Sequence, residues 1–208
     1  MKMMKFEGID ISKHNIVTSW DDVRRRIDFC IIRAGGDYNK KYKDPKFERY
    51  YDACKNYNIP VGCYYDAGKE FYTTQKGYEC AKHFLQLISG KTFEYPVFLD
   101  IEVTPKKYKK FITDAVIAFC RLMEDNGYYV GIYASDISGF KEMLESDRLI
   151  AFDKWTARYG KEPEYMKNSG IWQYTSRGSI AGIKGNVDRD ISYKNYPAIM
   201  KRGHFNGY

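Results

Sequence analysis

Val97-Phe98-Leu99-Asp100-Ile101-Glu102 sets two carboxylates, two positions apart, into an otherwise apolar run. Apolar side chains on both parities of a short strand mean burial on both faces, the condition of a parallel sheet covered by helices. The flanks agree. Residues 73–89 carry Tyr78, Ala81, Phe84, Leu85 and Ile88 at helical spacing, and residues 111–126 carry Ala115, Ile117, Ala118, Leu122 and Met123 before stopping at Asn126-Gly127. Further out, strand-like runs fall at 6–11, 29–34, 61–65 and 129–134. A helix from Ser19 or Asp21 runs to Arg26, and Asp44-Pro45 opens another through Asn58 with Pro at its first position. After Ala134 the rhythm changes. A short helix at 137–145 precedes strands at 154–158, 171–174 and 186–188, too closely spaced for full crossover helices. The expectation is an α/β fold: one modified TIM-like β/α barrel of about eight strands and five helices, helix-poor in its final third. It forms a single domain over 1–208 with its core at about 6–190. The basic stretch Lys201-Arg202-Gly203-His204 reads as a solvated end.

Composition limits the function classes. With 208 residues, 44% hydrophobic and 29% charged, the chain is not mainly disordered, and it has no apolar run of the eighteen residues a membrane span needs. Its start, Met1-Lys2-Met3-Met4-Lys5-Phe6-Glu7, is basic but lacks an apolar h-region, so no signal peptide is expected. A net charge of +7 favours an anionic partner: nucleic acid, anionic lipid or an anionic cell wall. No nucleic-acid motif accompanies that charge, and Lys106, Lys107, Lys109 and Lys110 read as a solvated helix start. Cys30, Cys54, Cys63, Cys80 and Cys120 are odd in number and never spaced C-x-x-C, which indicates buried thiols rather than a disulfide framework or zinc site.

In a parallel barrel the reactive groups gather at the C-terminal ends of the strands. Asp10 ends the first run, Asp100 and Glu102 end the fourth, and Asp188 closes the last, so four carboxylates converge on one mouth. Residues i and i+2 of a strand point the same way, and an acid set in apolar sequence is costly to bury without a task. Only His14 lies near a strand end. His83 is mid-helix and His204 is in the tail, so neither a zinc site nor a Ser-His-Asp triad is supported. A carboxylate-only site would suit magnesium or calcium, but no metal and no cofactor is expected. Two carboxyls without histidine suit glycoside hydrolysis. With α-carbons roughly 6.6 Å apart and side chains parallel, Asp100 and Glu102 approach a sugar from one side, awkward for an acid and a backside nucleophile. A 2-acetamido group on the sugar could attack instead, oriented by Asp100. Adjacent carboxylates also raise one pKa, which suits Glu102 as acid.

Six motifs occur in order: Gly8-Ile9-Asp10-Ile11-Ser12, Pro60-Val61-Gly62-Cys63-Tyr64-Tyr65, Phe98-Leu99-Asp100-Ile101-Glu102, Gly131-Ile132-Tyr133-Ala134-Ser135, Trp172-Gln173-Tyr174 and Gly185-Asn186-Val187-Asp188. Together they resemble glycoside hydrolase family 25, the Chalaropsis-type lysozymes of bacteria and phages. The resemblance implies a barrel of eight strands and five helices that cleaves the β-1,4 bond from N-acetylmuramic acid to N-acetylglucosamine in bacterial peptidoglycan. It places Glu102 as general acid, Asp100 as its partner on the acetamido group or on water, and Asp10 and Asp188 as the other site carboxylates. It lines the groove with Tyr64, Tyr65, Tyr133, Trp172 and Gln173, Tyr65 standing where many relatives have His. Val187-Asp188-Arg189-Asp190 departs from the family's Val-Asp-Leu-Asn, and Asp188 is favoured over Asp190 as the inward acid. No wall-binding repeats follow the catalytic region, so a catalytic domain alone, monomeric and aided on anionic wall polymers by its +7 charge, is expected. Such an enzyme would be phage-encoded and held in the host cytoplasm until release, or exported to the wall by another route. The alternatives are a hydrolase of another N-acetylated glycan such as chitin, or a non-catalytic glycan-binding barrel.

Overall fold

The structure, a computed structural model, describes residues 5–102 and 106–208. In chain order its elements are β1 (Phe6–Ile11), β2 (Ile16–Val17), α1 (Trp20–Arg24), β3 (Phe29–Asp37), β4 (Lys41–Lys43), α2 (Phe47–Asn56), β5 (Val61–Asp66), α3 (Thr74–Ile88), β6 (Val97–Asp100), α4 (Lys109–Asp125), β7 (Val130–Ser135), β8 (Asp153–Ala157), β9 (Ile171–Gly178), β10 (Ile183–Lys184), β11 (Val187–Ser192) and α5 (Tyr196–Gly203). The sheet runs β1-β11-β9-β8-β7-β6-β5-β3 and closes through β1 on β3. This is an eight-stranded barrel, with β4 hanging from β3 as a hairpin and β2 paired with β10 beside the mouth.

Ser19 caps α1 by accepting from the Asp22 N–H, and Thr73 caps α3 by accepting from Lys76 N–H at 3.1 Å. Three expectations need correction. Helix α2 begins at Phe47, not at Pro45, because the Asp44 carboxylate accepts from Lys46 N–H at 2.9 Å and holds Asp44-Pro45 in a turn before the helix. The helix expected at 137–145 is a π-helical turn over Asp136–Lys141. The last strand, β11, is antiparallel to both neighbours, β1 and β9. Residues 179–186, which include β10, are too few for the crossover a parallel return would need.

Strand alternation divides the interior into two cores. In β6, Val97 and Leu99 face the helices while Phe98 and Asp100 face the barrel axis, and in β5 Cys63 and Tyr65 face out while Tyr64 faces in. Glycines make room for large side chains on the neighbouring strand: a Cβ on Gly8 would come within 2.3 Å of the Phe29 ring and one on Gly131 within 2.4 Å of the Phe98 ring. The floor is aromatic, with Phe29 stacked on Tyr95 at 4.3 Å and Tyr196 at 5.2 Å from Tyr95.

The C-terminal segment is part of this floor. Lys201 to His204 are exposed as expected, but they end a helix, α5, that the sequence reading missed, and the chain then turns back to bury Asn206. Asn206 donates from Nδ2 to the Tyr95 carbonyl at 2.9 Å and accepts at Oδ1 from Tyr129 N–H at 2.8 Å. It does so at φ 56, a left-handed conformation Asn tolerates better than Ala. Asn206→Ala strands one buried donor and one buried acceptor. It is expected to cost about 2–4 kcal/mol, or roughly 5–10 °C in melting temperature. A loss below about 0.5 kcal/mol in urea unfolding would show that the tail does not seal the floor.

Candidate active site

The mouth is built from inward residues one level above the aromatic core. Trp155 on β8, 1% exposed, fills the centre below it, with Tyr133 at 4.5 Å, Phe98 at 5.2 Å and Tyr64 at 5.9 Å between ring centroids. Above this layer β6 ends in Asp100, whose Oδ1 is buried with no hydrogen-bond partner, and Glu102 follows at the exposed rim. Four strands round the ring, facing them, stands β11. Asp188 is in register with Asp10 of β1, and Asp190 lies one level deeper, opposite Gly8. Because β11 is antiparallel, Asp188 stands near the start of its strand, not at its end. That start shares the barrel face with the C-terminal ends of the parallel strands, so the expected acids still meet.

Side-chain hydrogen bonds tie the far wall together. Gln173 donates from Nε2 to Asp10 at 2.7 Å and accepts at Oε1 from the hydroxyls of Tyr133 at 2.8 Å and Tyr159 at 3.1 Å. Trp155 Nε1 donates to Asp190 at 2.8 Å. Two residues expected on the substrate are elsewhere. Tyr65, fully buried, points away from the axis, where its hydroxyl meets His83 Nδ1 at 2.8 Å and its ring packs on Phe84 and Phe119. Trp172 has the parity opposite to Gln173; its Nε1 donates to the Arg158 carbonyl and its ring lies 5.7 Å from Tyr174. Tyr64, Tyr133 and Gln173 do face the mouth. So does Asp66, two positions after Tyr64, while Asp190, two after Asp188, faces the axis one level below the mouth; the same alternation identifies both. Arg189 between the two acids faces outward onto Glu7 at 3.2 Å.

Burial, with crowding of like charge, pushes Asp10, Asp100, Glu102 and Asp188 up. Asp10 is raised by burial, then by Asp190 and Asp188, against the hydrogen bond from Gln173. Asp100 is raised well above the usual range by burial, then by Glu102 and Asp66, with Arg33 opposing. Glu102 is raised by burial, then by Asp66 and Asp188, with Tyr133 opposing. Asp188 is raised by burial, while a hydrogen bond with Asp10 opposes. Both members of the β6 pair are raised, and Asp100, the deeper one, is raised well above the usual range.

Burial pushes Asp190 to about 8. Between pH 4 and 8 the folded chain keeps this proton and the unfolded chain does not, so the contribution of Asp190 to stability is full below about pH 4 and is lost as pH rises towards 8. Asp190→Asn keeps the oxygen that accepts from Trp155 and removes the charge. It is expected to stabilise the protein by roughly 1–4 kcal/mol at pH 8 and to change little at pH 4. Melting curves across that range test this; equal destabilisation at every pH would show that the fold needs the charge.

Two cavities flank the acids. One of about 340 Å³ lies against Glu102, Ser135, Arg158 and Tyr159. The other, of about 400 Å³, lies against Asp66, Arg33, Tyr42 and Lys13. Asp136 holds the first in shape. It is 2% exposed and accepts from Arg158 Nη1 at 2.5 Å and from the N–H groups of Glu164 and Met166, both at 2.8 Å, which anchors the loop that carries Tyr159.

A closed β/α barrel thus gathers carboxylates from β1, β6 and β11 at one mouth, between two open cavities, an arrangement that suits glycoside hydrolysis. The profile of glycosyl hydrolases family 25 matches residues 9–183, and the chain belongs to that family. It is 28% identical over 150 residues to the autolytic lysozyme of Clostridium acetobutylicum, a match covering 72% of this chain and 44% of the relative, so the chain spans less than half that protein's length. Among solved structures it resembles the CTP1L endolysin, with 25% identity, a TM-score of 0.80, and 94% of this chain and 69% of the other covered. It shares its fold with the modular autolysin LytC of Streptococcus pneumoniae solved with a synthetic peptidoglycan ligand, at 23% identity, a TM-score of 0.79, and coverage of 90% and 46%.

Proposed function

We propose that the protein is a lysozyme acting on bacterial peptidoglycan as an N-acetylmuramidase, cleaving the β-1,4 bond between N-acetylmuramic acid and N-acetylglucosamine. Family membership and the likeness to an autolytic lysozyme and an endolysin support the substrate class. The observation that carries the chemistry is Asp100 Oδ1, a buried acceptor without a donor beside the rim carboxyl Glu102. A buried acceptor left bare is costly, and an acetamido N–H of a bound sugar would satisfy it. That donation favours the ionised form of Asp100 and releases its proton to Glu102, so the acid is armed once the sugar is seated. Glu102 then gives the proton to the glycosidic oxygen as its bond to C1 breaks, and the acetamido carbonyl oxygen, oriented by Asp100, closes on C1 from the opposite face. Water reopens this ring and returns a proton to Glu102. Tyr64, Tyr133 and Gln173 line the mouth, and Asp10 and Asp188 form its far wall. The substrate lies in the wall, where the net charge of +7 would assist on anionic polymers. No helix among the described residues is long and apolar enough to cross a membrane.

The test is mass spectrometry of purified peptidoglycan after digestion and borohydride reduction. Reduced muramic acid ends are expected. Reduced glucosamine ends would make the enzyme a glucosaminidase, and no new ends would overturn the peptidoglycan assignment. NMR of the anomer first released tests the role of Asp100: the β anomer is expected, and the α anomer would instead assign Asp100 to the activation of water.

A further inference from the structure

The cavity on the Asp66 side of the mouth is built differently from the one beside Glu102. Lys13, His14, Arg33 and Lys40 line it together with Tyr42 and Asp66. Lys13 and His14 come from the loop after β1, Arg33 from β3 itself and Lys40 from the turn between β3 and β4. Their charge is only partly answered. Arg33 pairs through Nε with Asp44 at 2.9 Å, but its Nη2 is buried without any acceptor. Lys13 and Lys40 form no ion pair among the described residues, and Lys13 lies over the Tyr42 ring at 5.9 Å. The cavity's own carboxylate, Asp66, is turned to Tyr42 Oη at 3.2 Å and Gly68 N–H at 2.9 Å. Neutral sugar hydroxyls do not need two unpaired ammonium groups and a spare guanidinium N–H; a carboxylate does.

Position selects which carboxylate. Asp66 is in register with Asp100 on the neighbouring strand, so the cavity opens about 5 Å to the side of the proposed acetamido-binding acid. A substituent branching from a sugar seated at Asp100 would enter it sideways, while the glycan strand continues along the mouth. We propose that this cavity binds the carboxylates of the peptide-bearing lactyl arm of N-acetylmuramic acid, with Lys13, Lys40 and the free Nη2 of Arg33 as donors. This rests on the muramidase reading and adds to it a basis for preferring peptide-bearing over bare glycan.

His14 serves as an internal reporter. Its pKa is lowered by burial and by the positive charge of Arg33, Lys13 and Lys46, against Asp44, so an anion entering the cavity must raise it. The experiment uses full-length Glu102→Gln to prevent turnover, with N-acetylmuramyl-L-alanyl-D-glutamate and the neutral tetramer of N-acetylglucosamine as probes. At saturation the muramyl dipeptide is expected to raise the NMR-measured pKa of His14, and the tetramer to leave it unchanged. Adding Lys13→Gln and Lys40→Gln should weaken the dipeptide roughly tenfold, leave the tetramer's affinity unchanged, and remove most of the salt dependence. An unmoved His14 under saturating dipeptide, or equal weakening of both probes, overturns the proposal. Failure here is separable from failure of the muramidase reading. Wild type that yields reduced muramic acid ends while His14 stays silent rejects this cavity alone. A His14 response without such ends keeps the cavity and rejects the bond assignment.

Discussion

Glu102→Gln is expected to lower kcat on peptidoglycan by about 10³-fold, within the range that general acid catalysis supplies, with KM nearly unchanged. The substitution keeps the shape of the side chain and removes its transferable proton. Glu102 stands exposed at the rim after the end of β6, so folding should be insensitive to the change, with stability within about 0.5 kcal/mol of wild type. The loss is therefore chemical, and melting curves run beside the kinetics separate the two. Because partial desolvation of its carboxyl at the mouth, Asp66 and Asp188 raise this group although its side chain is exposed at the rim, the alkaline limb of wild-type activity should lie above the usual carboxylate range. Asp66→Asn removes the largest of the charge effects and should draw that limb to lower pH. Glu102→Gln that retains more than a tenth of wild-type turnover would move the acid to another residue, with Asp188 across the mouth the next to examine.

How far the site could be read from sequence depended on strand parity. Apolar runs with embedded acids located Asp10, Asp100 and the closing strand, because burying a carboxylate in a strand is expensive enough to mark it. Parity within a run decides which neighbour faces the axis, and motif matching ignores parity. Tyr64 and Tyr65 both looked suited to substrate, yet alternation sends one to the mouth and the other to His83. Trp172 and Gln173 divide in the same way. Asp188 and Asp190, two apart on a strand, both face inward, and depth separates them: Asp188 stands level with Asp10, while Asp190 lies beneath the mouth on Trp155. The direction of β11 was not legible from local pattern, because a hairpin and a crossover differ in the length of the connection rather than in the strand. Helix α5 was missed because the basic end at 201–204 outweighed Tyr196 and Met200, whose burial comes from the barrel floor and not from any helix neighbour.

Asp100→Asn is expected to cost about 10²–10³ in kcat, and the loss should depend on the substrate's acetyl groups. In the proposed cycle the ionised carboxylate does two things: it accepts the acetamido N–H and it stabilises the positive charge that develops as the carbonyl oxygen closes on C1. Asparagine still offers an oxygen to the N–H but brings no charge, and it cannot pass a proton to Glu102. Ground-state binding should thus survive better than turnover, which places the loss in kcat. Relief of like charge acts the other way on stability. Asp100 is buried against Glu102 and Asp66 with an unpaired oxygen, so the neutral variant should melt at or above wild type near neutral pH. On de-N-acetylated glycan the carbonyl nucleophile is absent, wild type should already be slow, and Asp100→Asn should add little further loss. An equal loss on acetylated and de-acetylated strands would show that Asp100 acts on water or on protein rather than on the acetamido group.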